Sequence, residues 1–255
     1  MWTIRQEQTD AFRQHHLQKF EDEMVEHLKK FSPQHCKVTG EPSVRQVIRM
    51  GIENAKRYGF TNRGPVRFYI ELMFMLGSYF DTDPQYLWAR AALNDSIYVD
   101  QMVRADQLYS RTKDYLSRVF GPGQKYMVEA MQRLSAMRIE ELIKAGGSIE
   151  EDILEGLRTI YPQKCDYLGE HVLRALIQTG FDFARKNAFA TEKGMALMVG
   201  LAFAVGHGFA VDPLYGWIGK RLDNKRHRDP PDQIEELYSK SMLYLKHVVA
   251  EIGSE

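Results

Sequence analysis

The sequence repeats itself at a spacing of 129 residues, and this repeat constrains the fold more than any other feature. From Phe31 onward, FSPQHCKVTGEPSVRQVIRMGIENAKRYGF aligns without a gap with IYPQKCDYLGEHVLRALIQTGFDFARKNAF, and ELMFMLGSYFDTDPQYLWARAAL aligns with GLAFAVGHGFAVDPLYGWIGKRL. Of the 63 residue pairs that begin with Phe31 and end with Leu93, nineteen are identical, whereas unrelated sequences match at roughly one position in sixteen. The sequence therefore predicts two tandem copies of one unit of about 125 residues.

Most positions that the two copies share carry residues with structural roles. Glycine suits positive φ angles and close approach between helices, and phenylalanine contributes a large buried area. The shared pairs include Gly40 and Gly169, Gly51 and Gly180, Gly77 and Gly206, Phe60 and Phe189, Phe74 and Phe203, and Phe80 and Phe209. This pattern indicates a common packing scheme rather than a common reaction.

Apolar residues recur at three- and four-residue steps in many segments, which is typical of amphipathic helices. We predict helices at about 4–30, 44–57, 64–76, 97–119, 123–145, 170–187, 192–205 and 232–251, with a short helix after each Asp-Pro pair. Ser148 and Glu151 are predicted to form a capping box at the start of a further helix. The sequence lacks the alternating pattern and hairpin turns of strands, so the predicted fold class is all-α.

The repeat also predicts the domain organisation. It divides the chain into unit 1 (1–122) and unit 2 (123–255), which form a helical bundle with a pseudo-two-fold relation. Each unit has the usual size of a small domain. The sequence leaves open whether the units pack as one domain or stand apart.

Charge and hydropathy limit the classes of partner. Lys plus Arg and Asp plus Glu each number 34, and nucleic-acid binders usually carry a basic excess, so a nucleic-acid partner is not expected. No window approaches the ~20 apolar residues of a membrane span, and the polar N-terminus lacks the apolar core of a signal peptide. Because Cys36 and Cys165 are expected to be reduced thiols, the sequence predicts a cytoplasmic protein without a membrane partner.

The most specific local motif is the pair FDTDPQYLW and FAVDPLYGW. In one interpretation, the shared acidic and aromatic residues form a rim that binds a ligand or peptide. In the other, which we favour, each aspartate caps a short helix and the aromatic rings pack on the core. The candidate binding residues are Asp83, Tyr86, Trp88, Asp212, Tyr215 and Trp217.

Residues with catalytic or metal-binding potential do not form a recurring pattern. His16, Glu23 and His27 lie on one side of the first predicted helix, but their counterparts in the second copy are Ala145, Asp152 and Gly156, so we predict no metal site. The segment GPGQK is too short for a phosphate-binding loop, and no nucleophile motif occurs. We therefore predict no catalytic residue and no cofactor, and we favour a non-enzymatic protein while leaving activity open.

One dense basic run could contact phosphates or an acidic protein surface, namely Lys220, Arg221, Lys225, Arg226, His227 and Arg228. The first copy has no basic counterpart of this run, and charge runs in connecting loops are commonly solvated. We therefore predict an exposed loop without a specific role.

The repeated pattern between Gly40 and Ala89, G…R..I..GI..A..YGF…LMF.LG..FDTDP…WA, resembles an uncharacterised family of duplicated helical bacterial proteins. These proteins are encoded beside type VI secretion and polymorphic-toxin effectors. The resemblance implies an immunity protein or an effector adaptor that binds a toxin or a secretion component. It implies no catalytic residues.

Two function classes follow from these observations. The leading hypothesis is a non-enzymatic protein that binds a protein partner across the face between its two units. The alternative is a ligand-binding or enzymatic bundle with a pocket between helices, lined by Met73, Met75, Tyr79 and Trp88.

Overall fold

The computed structural model describes residues 6–97, 99–144, 146–223 and 229–252, and the regular structure in these ranges is entirely helical. The α-helices are α1 (Gln6–Phe31), α2 (Pro33–Thr39), α3 (Glu41–Arg57), α4 (Arg63–Leu76), α5 (Leu87–Leu93), α6 (Gln101–Tyr115), α7 (Lys125–Ala136), α8 (Ile149–Ile160), α9 (Pro162–Lys186), α10 (Glu192–Val205), α11 (Gly216–Leu222) and α12 (Pro230–Ile252). The all-α prediction is confirmed. In the part of the chain that the structure describes, no helix is long and apolar enough to cross a bilayer.

Short helical turns connect several of these helices. Pro84–Tyr86, Ile139–Leu142 and Pro213–Tyr215 are 3₁₀-helical, and a further 3₁₀ turn spans Pro122–Gln124. The last turn of α6 continues as a π-helical segment at Leu116–Phe120.

The packing of α3 on α4 follows from the apolar face of α3. Val44, Val47, Ile48 and Ala55 recur at helical spacing, and each is almost completely buried. Gly51 lies on the same face, where a Cβ atom would lie 2.6 Å from Ile70 of α4. Glycine at this position therefore lets the two helices approach closely.

Elements in the two halves of the chain have matching bounds. Helices α4 and α10 begin at residues 63 and 192 and end at residues 76 and 205, a constant spacing of 129. The same spacing relates the two Asp-Pro turns, and α5 to α11. Gly40 separates α2 from α3 with φ 77° and ψ 149°, and Gly169 kinks α9 with φ 74° and ψ 160°. Because α9 continues through this kink, it begins eight residues before the predicted start at about 170.

The same ionic cluster also occurs in both halves. Arg45 contacts the carboxylates of Glu21, Asp22 and Glu41 at 2.7–3.0 Å, and Arg174 contacts those of Glu150, Glu151 and Glu170 at 2.8–2.9 Å. The two arginines are 129 residues apart, as is each pair of acidic partners. Most of these groups are partly exposed, so the pairs fix geometry more than they add stability.

Two local predictions are wrong. The helix expected at about 123–145 ends at Ala136, because Met137 adopts an extended conformation with φ −84° and ψ 137°. Ser148 occupies the N-cap position of α8, but its side chain makes no capping hydrogen bond, so the predicted capping box with Glu151 does not form. The carboxylate of Asp152 instead accepts a hydrogen bond from the backbone N–H of Lys144 at 2.9 Å.

The two halves meet where α4 and α10 end. Gly77 and Gly206 follow these helices, each with φ 99°. A Cβ atom at Gly77 would lie 2.7 Å from the carbonyl oxygen of Val205, and one at Gly206 would lie 3.2 Å from Oδ2 of Asp83. The contact between the halves therefore depends on the absence of side chains at both glycines.

We predict that Gly77→Ala lowers the free energy of unfolding by at least about 2 kcal/mol, because the methyl group meets the Val205 carbonyl at a positive φ angle. Urea unfolding followed by circular dichroism measures the change. Gly64→Ala is the control, since a Cβ there meets nothing within 4 Å, and it should be neutral or stabilising by about 0.5 kcal/mol. An equal loss for both variants would contradict the account.

Candidate functional site

Asp83 and Asp212 each connect the two halves of the chain. Asp83 caps its own 3₁₀ turn by accepting from Gln85 N at 2.8 Å, and its Oδ2 accepts from the backbone N–H of His207 at 2.7 Å. Asp212 likewise accepts from Leu214 N at 2.9 Å. It also accepts from Ser78 N at 2.8 Å and from Ser78 Oγ at 2.6 Å. The capping interpretation is therefore correct, and each aspartate in addition binds the loop of the other half.

The pKa values of the two carboxyl groups shift in opposite directions, although the two residues occupy matching positions. Burial raises the pKa of Asp83, but hydrogen bonds from His207 and Gln85 outweigh burial and leave this pKa below its usual value. For Asp212, burial outweighs the hydrogen bonds from Ser78 and Leu214, so its pKa is raised. The His207 side chain contributes to this difference, because its Nδ1 lies 3.2 Å from Oδ2 of Asp83, whereas Ser78 carries no ionisable group.

The shared tyrosines and tryptophans form two matching aromatic clusters. Trp88 stacks on Tyr115 with ring centroids 5.5 Å apart, and Tyr86 meets the same ring edge-on at 5.6 Å. In the second half, Tyr244 contacts Trp217 at 5.9 Å and Tyr215 at 6.4 Å. Each of the four shared rings therefore packs against a neighbouring tyrosine ring.

A cavity of about 950 Å³ lies between α7, α8, α10 and α12, and α2 and the Asp-Pro turns of both halves also contribute to its wall. Three of the six candidate binding residues line it, namely Tyr86, Tyr215 and Trp217. The lining residues do not include Asp83, Asp212 or Trp88. The cavity thus includes part of the predicted site, but most of its wall comes from other helices.

The pocket lining predicted from methionine and aromatic spacing is mostly wrong. Met75 lines the cavity, whereas Met73 is completely buried in the core. The Tyr79 ring packs against Gly208, and Trp88 packs on Tyr115. Helix α7 contributes to the lining through Met127 and Met131, which the sequence did not place at a pocket.

His35 and Lys164 also line the cavity, and neither was predicted from the sequence. They occupy matching positions, 129 residues apart, between a shared Pro-Gln pair and a shared cysteine. Nζ of Lys164 donates to the carbonyl oxygen of Phe203 at 2.6 Å and lies 4.4 Å from the centre of that ring. Nε2 of His35 lies 3.3 Å from the hydroxyl of Tyr215. The signal that could have identified them is a basic residue at the same place in both halves, between the shared Pro-Gln pair and the shared cysteine.

Burial shifts the pKa of both residues. It lowers the pKa of Lys164 to about 8 and that of His35 to about 4. Near pH 7, Lys164 is therefore mostly protonated and His35 is neutral. Among the described residues of the cavity wall, no aspartate or glutamate occurs, so the carboxylate that interacts electrostatically with Lys164, Asp83, lies outside the wall.

The other candidate metal-binding side chains pair with neighbouring residues or are exposed. His27 binds Glu71 at 2.7 Å, Glu23 pairs with Arg63, and His16 is exposed. Considering only residues with described positions, no three His, Cys, Asp or Glu side chains form a metal-binding group. Cys36 and Cys165 are free thiols.

His207 and the basic run were both expected in loops between helices. His207 lies in the loop after α10, and its backbone N–H donates to Oδ2 of Asp83. In the basic run, Lys220 and Arg221 lie in the last turn of α11 rather than in the predicted loop, and Arg221 pairs with Glu236 at 3.1 Å. Residues 224–228 lie outside the described part of the chain.

Comparisons with protein-family models, with curated proteins and with solved structures find no match. The geometry of the chain itself must therefore support any assignment of function.

We predict that Asp83→Asn destabilises the protein by about 2–3 kcal/mol at pH 7 and Asp212→Asn by about 1 kcal/mol. Both variants lose hydrogen bonds, but the folded state favours the ionised form only at Asp83. Because the pKa of Asp83 is lowered, its contribution is present above the unfolded pKa of about 4 and is lost as the pH falls through the folded value. Urea unfolding at several pH values measures both effects, and equal losses at pH 7 would contradict the assignment.

Proposed function

We propose that this protein binds an elongated apolar small molecule in the cavity between its helices. The observation that supports this proposal is a space of about 950 Å³ with a mainly apolar and aromatic wall. Ligand-binding sites usually have volumes of roughly 300–1,000 Å³ and contain a small number of polar groups. The cavity therefore has the size and chemistry of a binding site.

An empty cavity with this mainly apolar wall is energetically unfavourable. Apolar side chains around an empty space lose dispersion contacts, and solvent water gains little from apolar walls. An apolar ligand would restore those contacts, and flexible methionines such as Met127, Met131 and Met137 can adjust to its shape. Phe31, Ser117 and Gln124 line the cavity and are also exposed, which indicates a path for ligand entry.

We further propose that the chain is a tandem duplication with a pseudo-two-fold axis near the cavity. Matching helix bounds, matching ionic clusters and the reciprocal Asp83 and Asp212 contacts support this proposal. Matching residues of both halves line the cavity, namely His35 and Lys164, Phe74 and Phe203, and Tyr86 and Tyr215. In this view, the duplication created the binding site by joining two units.

Gly200→Leu tests the proposal by filling the cavity. Gly200 lines the cavity on α10, and a Cβ atom there meets nothing within 4 Å. We predict that this variant binds the neutral apolar dye N-phenyl-naphthylamine at least tenfold more weakly than the wild-type protein, as measured by fluorescence titration. Its free energy of unfolding should not decrease, because leucine favours a helix over glycine by about 0.8 kcal/mol.

Gly64→Leu is the matched control for this experiment. Gly64 lies on α4, is exposed and does not line the cavity, and a Cβ atom there would also meet nothing within 4 Å. This variant should bind the dye as the wild type does. Failure of the wild type to bind the dye, or equal binding by Gly200→Leu, would overturn the proposal.

A protein partner remains our second candidate, and exposed apolar side chains favour it. Six of them lie between α5 and α6 or on these helices, namely Leu87, Ile97, Val99, Met102, Val103 and Tyr109. Ile97 is 81% exposed and Val99 is 92% exposed. Exposed apolar groups that concentrate in one region often mark a protein interface. An immunity or adaptor role in a toxin or secretion system stays a prediction.

The second candidate has a separate test. We predict that a partner recovered with the wild-type protein from its native host is lost with the double variant Ile97→Ser and Val99→Ser. The same partner should be retained by Gly200→Leu, because that residue lies in the cavity wall. Equal recovery with both variants would contradict an interface at residues 97–99.

A further inference from the structure

We infer that Lys164 binds the anionic head group of the cavity ligand, and that this ligand is a long-chain carboxylate. This inference rests on the proposed function, because it assigns a ligand class to the same cavity. It adds a specific electrostatic contact to a site that is otherwise mainly apolar.

The position of Lys164 suits this role. Its side chain is buried, with 5% exposure, and lines the cavity. An ammonium group has three donors, and one of them binds the carbonyl oxygen of Phe203 at 2.6 Å. Within the described ranges, the hydrogen bonds of the structure include no second acceptor for Nζ. Two donors are therefore available to a ligand.

A structural role explains only part of this arrangement. The carbonyl of Phe203 lies in the last turn of α10, where lysine side chains commonly satisfy unpaired carbonyl groups. This contact requires one hydrogen-bond donor, and a neutral donor would satisfy it. The buried charge is not explained by capping.

The charge of Lys164 has no carboxylate partner in the cavity wall. Asp83 interacts with it electrostatically and raises its pKa, but burial has the larger effect. The oxygens of Asp83 already accept hydrogen bonds from Gln85 and His207. A buried cation that no carboxylate binds directly is costly, and a ligand carboxylate would bind it through charge-assisted hydrogen bonds.

The matching residue in the other half does not offer a second anion site. His35 is neutral near pH 7 because burial lowers its pKa to about 4. Both ring nitrogens already have neighbours, since Nδ1 lies 3.0 Å from Ser32 Oγ and Nε2 lies 3.3 Å from the hydroxyl of Tyr215. The two matching positions therefore differ in charge, and one negatively charged head group fits the cavity better than two.

Binding should depend on pH in a defined direction. Asp83 stays ionised above pH 5 because its pKa is lowered, and Cys165 stays neutral because burial raises its pKa to about 12. Burial also keeps the hydroxyls of Tyr86 and Tyr161 neutral by raising their pKa values. Lys164, with a pKa of about 8, is then the group near the head group that loses charge as the pH rises.

The experiment compares two ligands with the same chain length, dodecanoate and dodecanol, as competitors of the apolar dye. We predict that dodecanoate binds the wild-type protein at least tenfold more tightly than dodecanol at about pH 6.5, where the acid is ionised and Lys164 is charged. This preference should decrease at about pH 9.5, while dodecanol binds equally at both pH values.

Matched substitutions distinguish the effect of the Lys164 charge on binding from an effect on folding. Lys164→Gln retains a donor for the Phe203 carbonyl but removes the charge, and it should reduce dodecanoate affinity at least tenfold at about pH 6.5 without changing dodecanol affinity. His35→Gln, at the matching position, should preserve the preference. Binding of dodecanol by each variant shows that the cavity has formed.

The two kinds of failure are distinguishable. If neither the dye nor dodecanol binds the wild type, the proposed function is overturned and the inference with it. If dodecanol binds but dodecanoate binds no better, or if Lys164→Gln retains the preference, the inference about Lys164 is overturned while the cavity proposal stands.

Discussion

Each Asp-Pro turn binds the loop that contains Ser78 or His207 in the opposite half, and the rest of the structure depends on this reciprocal contact. Asp83 accepts from the backbone of His207, and Asp212 accepts from the backbone and side chain of Ser78. Each aspartate thus caps its own turn and binds the opposite loop. Gly77 and Gly206 permit the close approach that these bonds require. Because the cavity lies beside these turns, the same contact positions Tyr86 and Tyr215 in its wall.

Several features of the fold could be predicted because they depend on local patterns. The bounds of α4 and α10 follow from their apolar periodicity and from the glycine after each helix. The roles of Asp83 and Asp212 as caps follow from the Asp-Pro pairs. The end of α7 at Ala136 was not predictable in this way, because Met137 adopts an extended conformation although the apolar periodicity of a helix continues beyond it.

The site could be predicted only in part, because its main determinants are not local. Tyr86, Tyr215 and Trp217 were identified from the repeated motif, whereas Trp88 shares the motif but packs on Tyr115. Helix α7 has no counterpart in the repeat alignment, so its place in the cavity wall is a tertiary feature. Lys164 could not be identified from residues shared by the two halves, because His35 occupies its matching position.

Stability and the proposed ligand binding place opposing demands on this fold. A mainly apolar cavity and a buried ammonium group both reduce stability relative to a filled core. Proteins commonly retain such features where binding requires them. The aromatic clusters around Tyr115 and Tyr244 provide compact packing at the cavity wall, which both tyrosines line.

The most direct test of the central claim is methyl NMR of the protein with isotope-labelled methionines during titration with dodecanol. The account predicts large shift changes and ligand contacts for Met127 and Met131, which line the cavity, and none for Met24, which is buried elsewhere in the core. Unchanged signals from Met127 and Met131 at saturating ligand, or changes confined to the exposed Met102, would contradict the claim that the cavity is a binding site.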